Sequence, residues 1–496
     1  MIWQWIILGV YGISLAFVFC FSLVQLNLVY NFFTKRKRFN RSSKEPAVIK
    51  EEEWPVVTVQ LPLYNEKYVV QRLIDCIARF DFPKDKLEIQ VLDDSNDETT
   101  ALVQEKVEEY SKQGIDIQLI RRPERKGYKA GALKYGLDIA KGEYIAIFDA
   151  DFLPQKDFLK RLIPYLVGDT ELGVVQSRWG HINRDYSLLT KLQAFALDAH
   201  FVVEQVGRNS GGHFINFNGT GGVWRKECIY DAGNWESDTL TEDLDLSYRA
   251  QMKGWKFRYF KEIESPAELP ATMNALKSQQ HRWTKGAAET AVKHIGNVWR
   301  SNAKGTTKIH GLFHLLNSAI FLAVIISAII SVPIILVKHD LGEMKLLFDI
   351  ARVFFLSLLS LVVFYATSYF NMNKISFKSI IDFIITFPLF LSMSMGMSLH
   401  NALAVIEGYL GKKTPFVRTP KFAIMEEKKS TKWQNSMYRA KKVNLLTWVE
   451  GLLGLYFIGG LILGLQYRDY DLSLFHAMLS FGYLGVFYYS FKHASA

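Results

Sequence analysis

Two groups of carboxylates stand at the ends of apolar, strand-like runs in this chain. Asp93-Asp94 follows Glu88-Ile89-Gln90-Val91-Leu92, and Asp149-Ala150-Asp151 follows Tyr144-Ile145-Ala146-Ile147-Phe148. Around them extended and helical patterns alternate. The sequence predicts a strand over 56–61 ending at Pro62, a helix from Tyr68 to about Phe80, and the strand that ends at Asp93. A helix over 99–113, a strand over 115–120, a helix over 129–140 and the strand over 144–148 follow. This β-α-β-α-β order implies a mostly parallel sheet covered on both faces. Sheets of that kind bind ligands in the crevice beyond the strand C-termini, which is where these carboxylates would project.

Apolar stretches flank the α/β block, and 496 residues leave room for two or three domains. Residues 1–34 read as an uncleaved transmembrane anchor, because no basic region precedes the apolar run and no clear cleavage site ends it. Residues 35–54 form a basic linker, and 55–300 the α/β domain. Transmembrane and interfacial helices are expected over 301–410, a basic segment over 411–444 and a transmembrane hairpin over 445–496. Apolar stretches at 312–337, 353–370, 379–407, 445–466 and 473–491 follow the α/β domain. With the N-terminal run, hydropathy alone counts about six crossings. Parity argues for fewer. If the α/β domain and the basic segment share one side, an even number of spans separates them. The third stretch contains Asp382, Pro388, His400, Asn401 and Glu407, so it should kink, with about 399–410 lying along the surface. That leaves about five crossings.

The net charge of +10 is concentrated beside the apolar spans, at Lys35 to Lys44 and at Lys412 to Lys442. Such placement marks the cytoplasmic side of an integral membrane protein, in an inner, plasma or Golgi-type membrane, rather than a nucleic-acid-binding surface. Three cysteines, Cys20, Cys76 and Cys228, suggest buried thiols in a reducing compartment rather than a disulfide framework.

Each motif has a chemical and a plain structural reading. On extended backbone Asp149 and Asp151 share a face and suit a divalent cation with its phosphates; solvated turns contain the same spacing. Asp93-Asp94-Ser95 could hold a nucleoside or cap a helix. Pro62-Leu63-Tyr64-Asn65-Glu66 could hold a base through its backbone and Tyr64, or simply turn the chain. Arg125 to Gly131 opens a helix, where N–H groups and Lys129 suit a diphosphate, although basic loops are commonly just solvated. Thr241-Glu242-Asp243 begins a helical pattern running to about Lys253. Asp243 could take a proton there despite the helix dipole; the alternative is an ordinary acidic first turn. In Gln279-Gln280-His281-Arg282-Trp283, Arg282 could neutralise a leaving diphosphate and Trp283 stack on a sugar, or both could mark a membrane interface. Together they are what a nucleotide-sugar transferase needs: a cation on the diphosphate, a base for the acceptor hydroxyl and positive charge for the leaving group.

In this order, D, DxD, TED and QxxRW resemble the signature of the processive, membrane-embedded family-2 glycosyltransferases, which include cellulose, hyaluronan and chitin synthases. Val175 to Trp179, Phe217 to Arg225 and Gln279 to Trp283 look most like the cellulose-synthase-like mannan and glucomannan synthases and xyloglucan-backbone glucan synthases. The resemblance covers roughly 55–300 and, more loosely, the tail. It implies a cytosolic GT-A (Rossmann-like) domain embedded in transmembrane helices and an inverting transfer that builds a β-glucan or β-mannan. The implied cofactor is Mg²⁺ or Mn²⁺ on Asp149 and Asp151, with Asp243 as base beside Glu242. Pro62, Tyr64, Asn65, Glu66, Asp93, Asp94, Lys129, Asp149 and Arg282 would contact the nucleotide sugar, UDP-glucose or GDP-mannose. Trp179, Gln279 and Trp283 would meet the polysaccharide acceptor, and the later spans would form a channel through the lipid bilayer. Any envelope export partner is left unidentified. Phe416-Val417-Arg418-Thr419-Pro420-Lys421 partly matches the FxVTxK gating loop of bacterial cellulose synthases. By that likeness Phe416, Thr419 and Lys421 would cover the site. Arg418 and Pro420 depart from the pattern, and a basic interfacial loop is the alternative. A non-processive glycolipid synthase is the second reading, less favoured because a lipid acceptor needs no channel. A transporter is the third, and no internal repeat supports it.

Overall fold

The computed structural model describes residues 2–340, 356–414, 417–424 and 444–495. Its strands are β1 Val57–Leu63, β2 Leu87–Asp93, β3 Asp116–Ile120, β4 Tyr144–Ile147, β5 Leu172–His181, β6 Gly222–Arg225 and β7 Lys256–Ala267. They form one sheet in the order β3-β2-β1-β4-β6-β5-β7. The first four strands are parallel, as the alternating pattern implied. β6 is antiparallel to both β4 and β5, while β5 and β7 are parallel, so the second half is mixed. Buried residues alternate between the two faces. Ala146 and Phe148 enter one core with Val59, Leu61 and Val91. Ile145 and Ile147 enter the other with Leu133 and Trp224. Burial on both faces explains why these strands read as continuous apolar runs.

β1 does not stop at Pro62 but continues to Leu63. The Gln60 carbonyl accepts from Phe148 N at 3.2 Å, and the Leu63 carbonyl accepts from Asp94 N at 3.0 Å. Alternation turns Pro62 toward the β4 side, and β4 has ended by then. The missing N–H therefore removes no ladder bond.

Among the described residues, four helices are long and apolar enough to cross a membrane: Ile2–Thr34, Gly305–Asp340, Phe377–Gly396 and Leu445–Gln466. Helix Leu356–Met372 is apolar but shorter, and the start of the 353–370 stretch lies outside the described residues. Helix Ser473–Ser495 packs along Leu445–Gln466, where a Cβ on Gly451 would sit 2.8 Å from the Phe487 ring. Small residues permit that approach.

The 379–407 stretch divides at Met397 into helices Phe377–Gly396 and Ser398–Tyr409. His400 and Glu407 of the second face the helix Met273–Arg300. His400 Nε2 lies 2.9 Å from the Lys277 carbonyl, and Glu407 lies 3.1 Å from His281 Nε2. These groups interrupt the apolar run because they meet protein rather than lipid.

Candidate active site

Every strand end singled out above opens onto one cavity of about 230 Å³. Its walls include Pro62, Tyr64, Glu66, Asp94, Lys129, Asp149, Asp151, Trp179, Glu242, Asp243, Gln279, Arg282, Trp283, Thr419 and Lys421. Parallel strands deliver the first carboxylates, and helix starts deliver Lys129 and the Glu242-Asp243 pair.

Lys129 follows Gly127 and Tyr128, both left-handed, with φ of 74° and 48°. That turn sends its ammonium into the cavity, 2.6 Å from Asp149 Oδ1 and 2.9 Å from the Gly219 carbonyl. Glu242 is 3.9 Å away. Burial acts against the charge, but Asp149 and Glu242 outweigh it and raise the Lys129 pKa. Asp243 begins the helix Glu242–Met252. Burial, and then the Glu242 carboxylate beside it, push the Asp243 carboxyl up to about 7, with Lys129 opposing. A carboxylate so placed holds a proton-accepting value near neutrality, which the helix dipole alone would not give.

The helices carrying these motifs touch at Gly286. A Cβ there would lie 2.9 Å from Thr241 N. Gly286→Ala should therefore cost about 1–3 kcal/mol of packing strain. It should lower both the melting temperature and turnover, since the strain falls on the residue before Glu242.

Arg122 chelates Asp94 through Nε and Nη2, at 2.9 and 2.6 Å. It also donates to the carbonyls of Lys126 and Tyr128. One guanidinium thus joins the end of β2 to the basic loop, a role the sequence reading missed. The Arg125 guanidinium lies 3.3 Å above the Tyr64 ring. Trp179 and Trp283, from β5 and the QxxRW helix, have ring centroids 6.3 Å apart. They form an aromatic wall of the cavity.

Residues 417–424 lie over the cavity. Arg418 makes a bidentate pair with Glu66 at 2.8 and 2.6 Å. Arg282 Nη2 donates to Thr419 Oγ1 at 2.8 Å, and Lys421 Nζ donates to Asp151 Oδ2 at the same distance. Phe422 N donates to Glu268 Oε1, and Phe422 and Ile424 are buried. Thr419 and Lys421 thus reach the site; Phe416 lies outside the described residues.

Two expected ligand residues do not line the cavity. The Asp93 carboxylate is engaged by Ser95 N at 3.0 Å and Thr100 Oγ1 at 2.6 Å. Asn65, with φ of 56°, accepts from Asn96 N and donates its own N–H to Ser95 Oγ. Both tie turns together, the plain role of Asx residues at strand-to-helix junctions.

Asp149 and Asp151 each keep a second carboxylate oxygen free of hydrogen bonds among the described residues. Two such oxygens fit a Mg²⁺ or Mn²⁺ ion whose remaining ligands are phosphate and water. A second acidic group, Glu236, Asp238 and Asp245, is close enough to hold an ion. There Lys293 Nζ stands 2.6–2.9 Å from all three, so their charge is already met.

A further cavity of about 220 Å³ shares Leu197, Gln279 and Trp283 with the first. Tyr365, Phe390, Met393 and Asn401, from the apolar helices, line its far side.

Comparison with known proteins assigns the chain. The family described as "Glycosyltransferase like family 2" matches residues 55–286. Glucomannan 4-beta-mannosyltransferase 9 of Arabidopsis thaliana is 33% identical over 479 residues, covering 92% of this chain and 85% of that protein. The chain belongs to glycosyltransferase family 2. Glucomannan 4-beta-mannosyltransferase 1 of Oryza sativa subsp. japonica is 42% identical over 296 residues, 56% of this chain and 56% of that protein. At this higher identity the chain spans about half the length of the curated relatives it matches. Among solved structures, the mannosyltransferase PcManGT of Pyrobaculum calidifontis, in complex with GDP-Man and Mn²⁺, is 19% identical with a TM-score of 0.55. The match covers 82% of this chain and all of that one, and it shows the GT-A fold. Within this family-2 fold, the residues hardest to find by sequence are Arg122, Glu268 and the 417–424 contacts. Their partners are fixed only by packing.

Proposed function

We propose that the protein is a membrane-embedded, inverting hexosyltransferase that extends a β-linked mannan- or glucan-type polysaccharide, with GDP-mannose as the favoured donor. The observation that carries this reading is the pair of adjoining cavities, which share Leu197, Gln279 and Trp283 in their walls. The first gathers base, carboxylates and cations; the second lies on the other side of Gln279 and Trp283, among apolar helices. A single-sugar transfer to lipid needs only the first. The mannosyltransferase relatives support mannose over glucose.

In this reading Asp243 accepts the proton of the acceptor hydroxyl as that oxygen attacks the anomeric carbon from the side opposite the diphosphate. The configuration inverts and a β-linkage forms from an α-linked donor. Lys129 and Arg282 neutralise the departing nucleoside diphosphate. A Mg²⁺ or Mn²⁺ ion held by Asp149 and Asp151 would supply further charge to that group. Trp179 and Trp283 hold the acceptor end, and the Arg418–Glu66 and Lys421–Asp151 contacts let residues 417–424 shield the site from water. The catalytic domain would face the cytosol, beside the basic segments.

The test is product analysis of the purified protein in nanodiscs, given radiolabelled GDP-mannose, UDP-glucose, UDP-N-acetylglucosamine and UDP-galactose separately. A high-molecular-weight product cut by a linkage-specific β-glycanase is expected. Label found only in an organic-extractable, single-sugar product would replace this reading with glycolipid synthesis.

The raised Asp243 value sets a pH dependence. The base works only unprotonated, so kcat/KM should fall as pH drops through about 7. A profile flat from pH 8 down to the usual carboxylate range would remove Asp243 as the base.

A further inference from the structure

We propose that the side-chain amide of Asn218 donates a hydrogen bond to the acceptor sugar, and that His200, Glu204 and Arg208 are positioning residues that aim it. This rests on the transferase reading above. Asn218 lines the active-site cavity. Its neighbour Gly219 is left-handed, with φ of 78°, and a Cβ there would lie 3.4 Å from Asp243 Oδ2. The next carbonyl, of Thr220, accepts from Trp179 Nε1 at 3.4 Å. The segment that starts at Asn218 therefore runs beside both the base and the aromatic wall.

Its amide is held by one end only. Oδ1 accepts from Asn216 Nδ2 at 2.8 Å and Gln205 Nε2 at 3.3 Å, and His200 Nε2 lies 3.2 Å from it. Nδ2 is buried and has no hydrogen-bond partner among the described residues. The amide cannot be turned round without loss. Gln205 Nε2 also donates to the Asn216 backbone carbonyl at 3.2 Å, so a nitrogen faces Asn218 and an oxygen must meet it. A buried N–H without an acceptor is costly. At the edge of a sugar-sized cavity, a hydroxyl oxygen of the acceptor supplies what is missing.

The supporting groups are placed unusually. A π-helical turn, His200–Glu204, interrupts the helix that runs from Leu188 to Gly211. Such turns concentrate at functional sites. His200 Nδ1 lies 3.0 Å from Glu204 Oε2. Glu204 Oε1 accepts from Arg208 Nε and Nη2, at 3.0 and 2.8 Å. Arg208 Nη1 reaches the His310 carbonyl at 3.2 Å. Glu204 and Arg208 are 6% and 1% exposed. A buried ion pair adds little stability over apolar packing, so its value here is orientation. The line runs from the helix that enters the membrane to the amide at the site.

The test uses the full chain in nanodiscs, with GDP-mannose as donor and a β-linked manno-oligosaccharide as acceptor. Asn218→Asp keeps an oxygen for Asn216 and Gln205 but has no N–H to give. Asn218→Asp and Asn218→Ala should each raise the acceptor KM roughly tenfold, the loss of one hydrogen bond. The donor KM should shift much less than the acceptor KM. His200→Ala should shift the acceptor KM in the same direction, and His200→Gln, whose amide can still donate to Asn218, should recover part of it. An Asn218→Asp protein with wild-type acceptor KM overturns the proposal, as does an equal shift in donor and acceptor constants. A wild-type protein that transfers no sugar from any donor overturns the functional reading and this proposal with it. An active wild type with unshifted variants overturns this proposal alone.

Discussion

Asp243→Asn should reduce sugar transfer by about 100- to 10,000-fold, the range for loss of a general base, while nucleotide binding is kept. The substitution preserves shape and removes only the proton-accepting oxygen. It also relieves the repulsion from Glu242 that helps raise the Asp243 value, so the helix start should not be weakened. Lys129 keeps Asp149 and the Gly219 carbonyl as partners. Polymer formation and GDP binding, measured on one preparation, check both halves. A variant that retains a tenth of wild-type turnover would move the base elsewhere, with Glu242 next in reach. Loss of GDP binding together with turnover would mean that Asp243 holds the site's structure rather than its proton.

Asp245→Ala should be the most destabilising single change near the site, at about 3–5 kcal/mol. Asp245 is fully buried. It accepts from Arg249 Nε and Nη2 at 2.9 and 2.7 Å, and lies 2.7 Å from His294 Nε2 and 2.8 Å from Lys293 Nζ. The His294 and Lys293 contacts cross from the helix of Glu242 and Asp243 to the helix of Arg282 and Trp283, while Arg249 lies one turn on along Asp245's own helix. Truncation leaves the Arg249 and Lys293 cations close together with the central acceptor gone. Burial works against the Asp245 charge, but His294, Arg249 and Lys293 hold its carboxyl well below the usual carboxylate range. A depressed folded value contributes stability above the unfolded value, and that stability is lost as pH falls through the folded one. The thermal midpoint of the purified protein at neutral pH should therefore drop sharply in the variant. The gap from wild type should narrow in strong acid. A shift worth under about 1 kcal/mol would show that the two helices hold together without this network.

The residues that the sequence made legible share one property: local order places them. Asp94, Asp149 and Asp151 follow strands whose apolar residues must be buried, and parallel strands bring their C-termini to one edge. Asp243 and Lys129 sit at helix starts that turn and charge patterns announce. Arg282 and Trp283 are three and four residues past Gln279 on a helix and so share a face with it. Asn65 and Asp93 have the right residue types at the right edge. The sequence could not tell ligand from turn there, because an Asx side chain satisfies a backbone N–H as readily as it meets a substrate.

What the tertiary structure alone decided lies in contacts between distant segments. Nothing in the spacing joins Arg418 to Glu66, Lys421 to Asp151, Asp245 to His294 or His200 to Asn218. The antiparallel insertion of β6 was equally hidden, since a four-residue strand has too little periodicity to reveal its direction. The same holds for His400 and Glu407, which look out of place in an apolar run until the QxxRW helix is packed against them. Apolar periodicity is a local property, and it determined the strands, the helices and the edge to which the chemistry was delivered. Which charges meet across that edge depends on how the layers stack, and only the folded chain brings those partners within bonding distance.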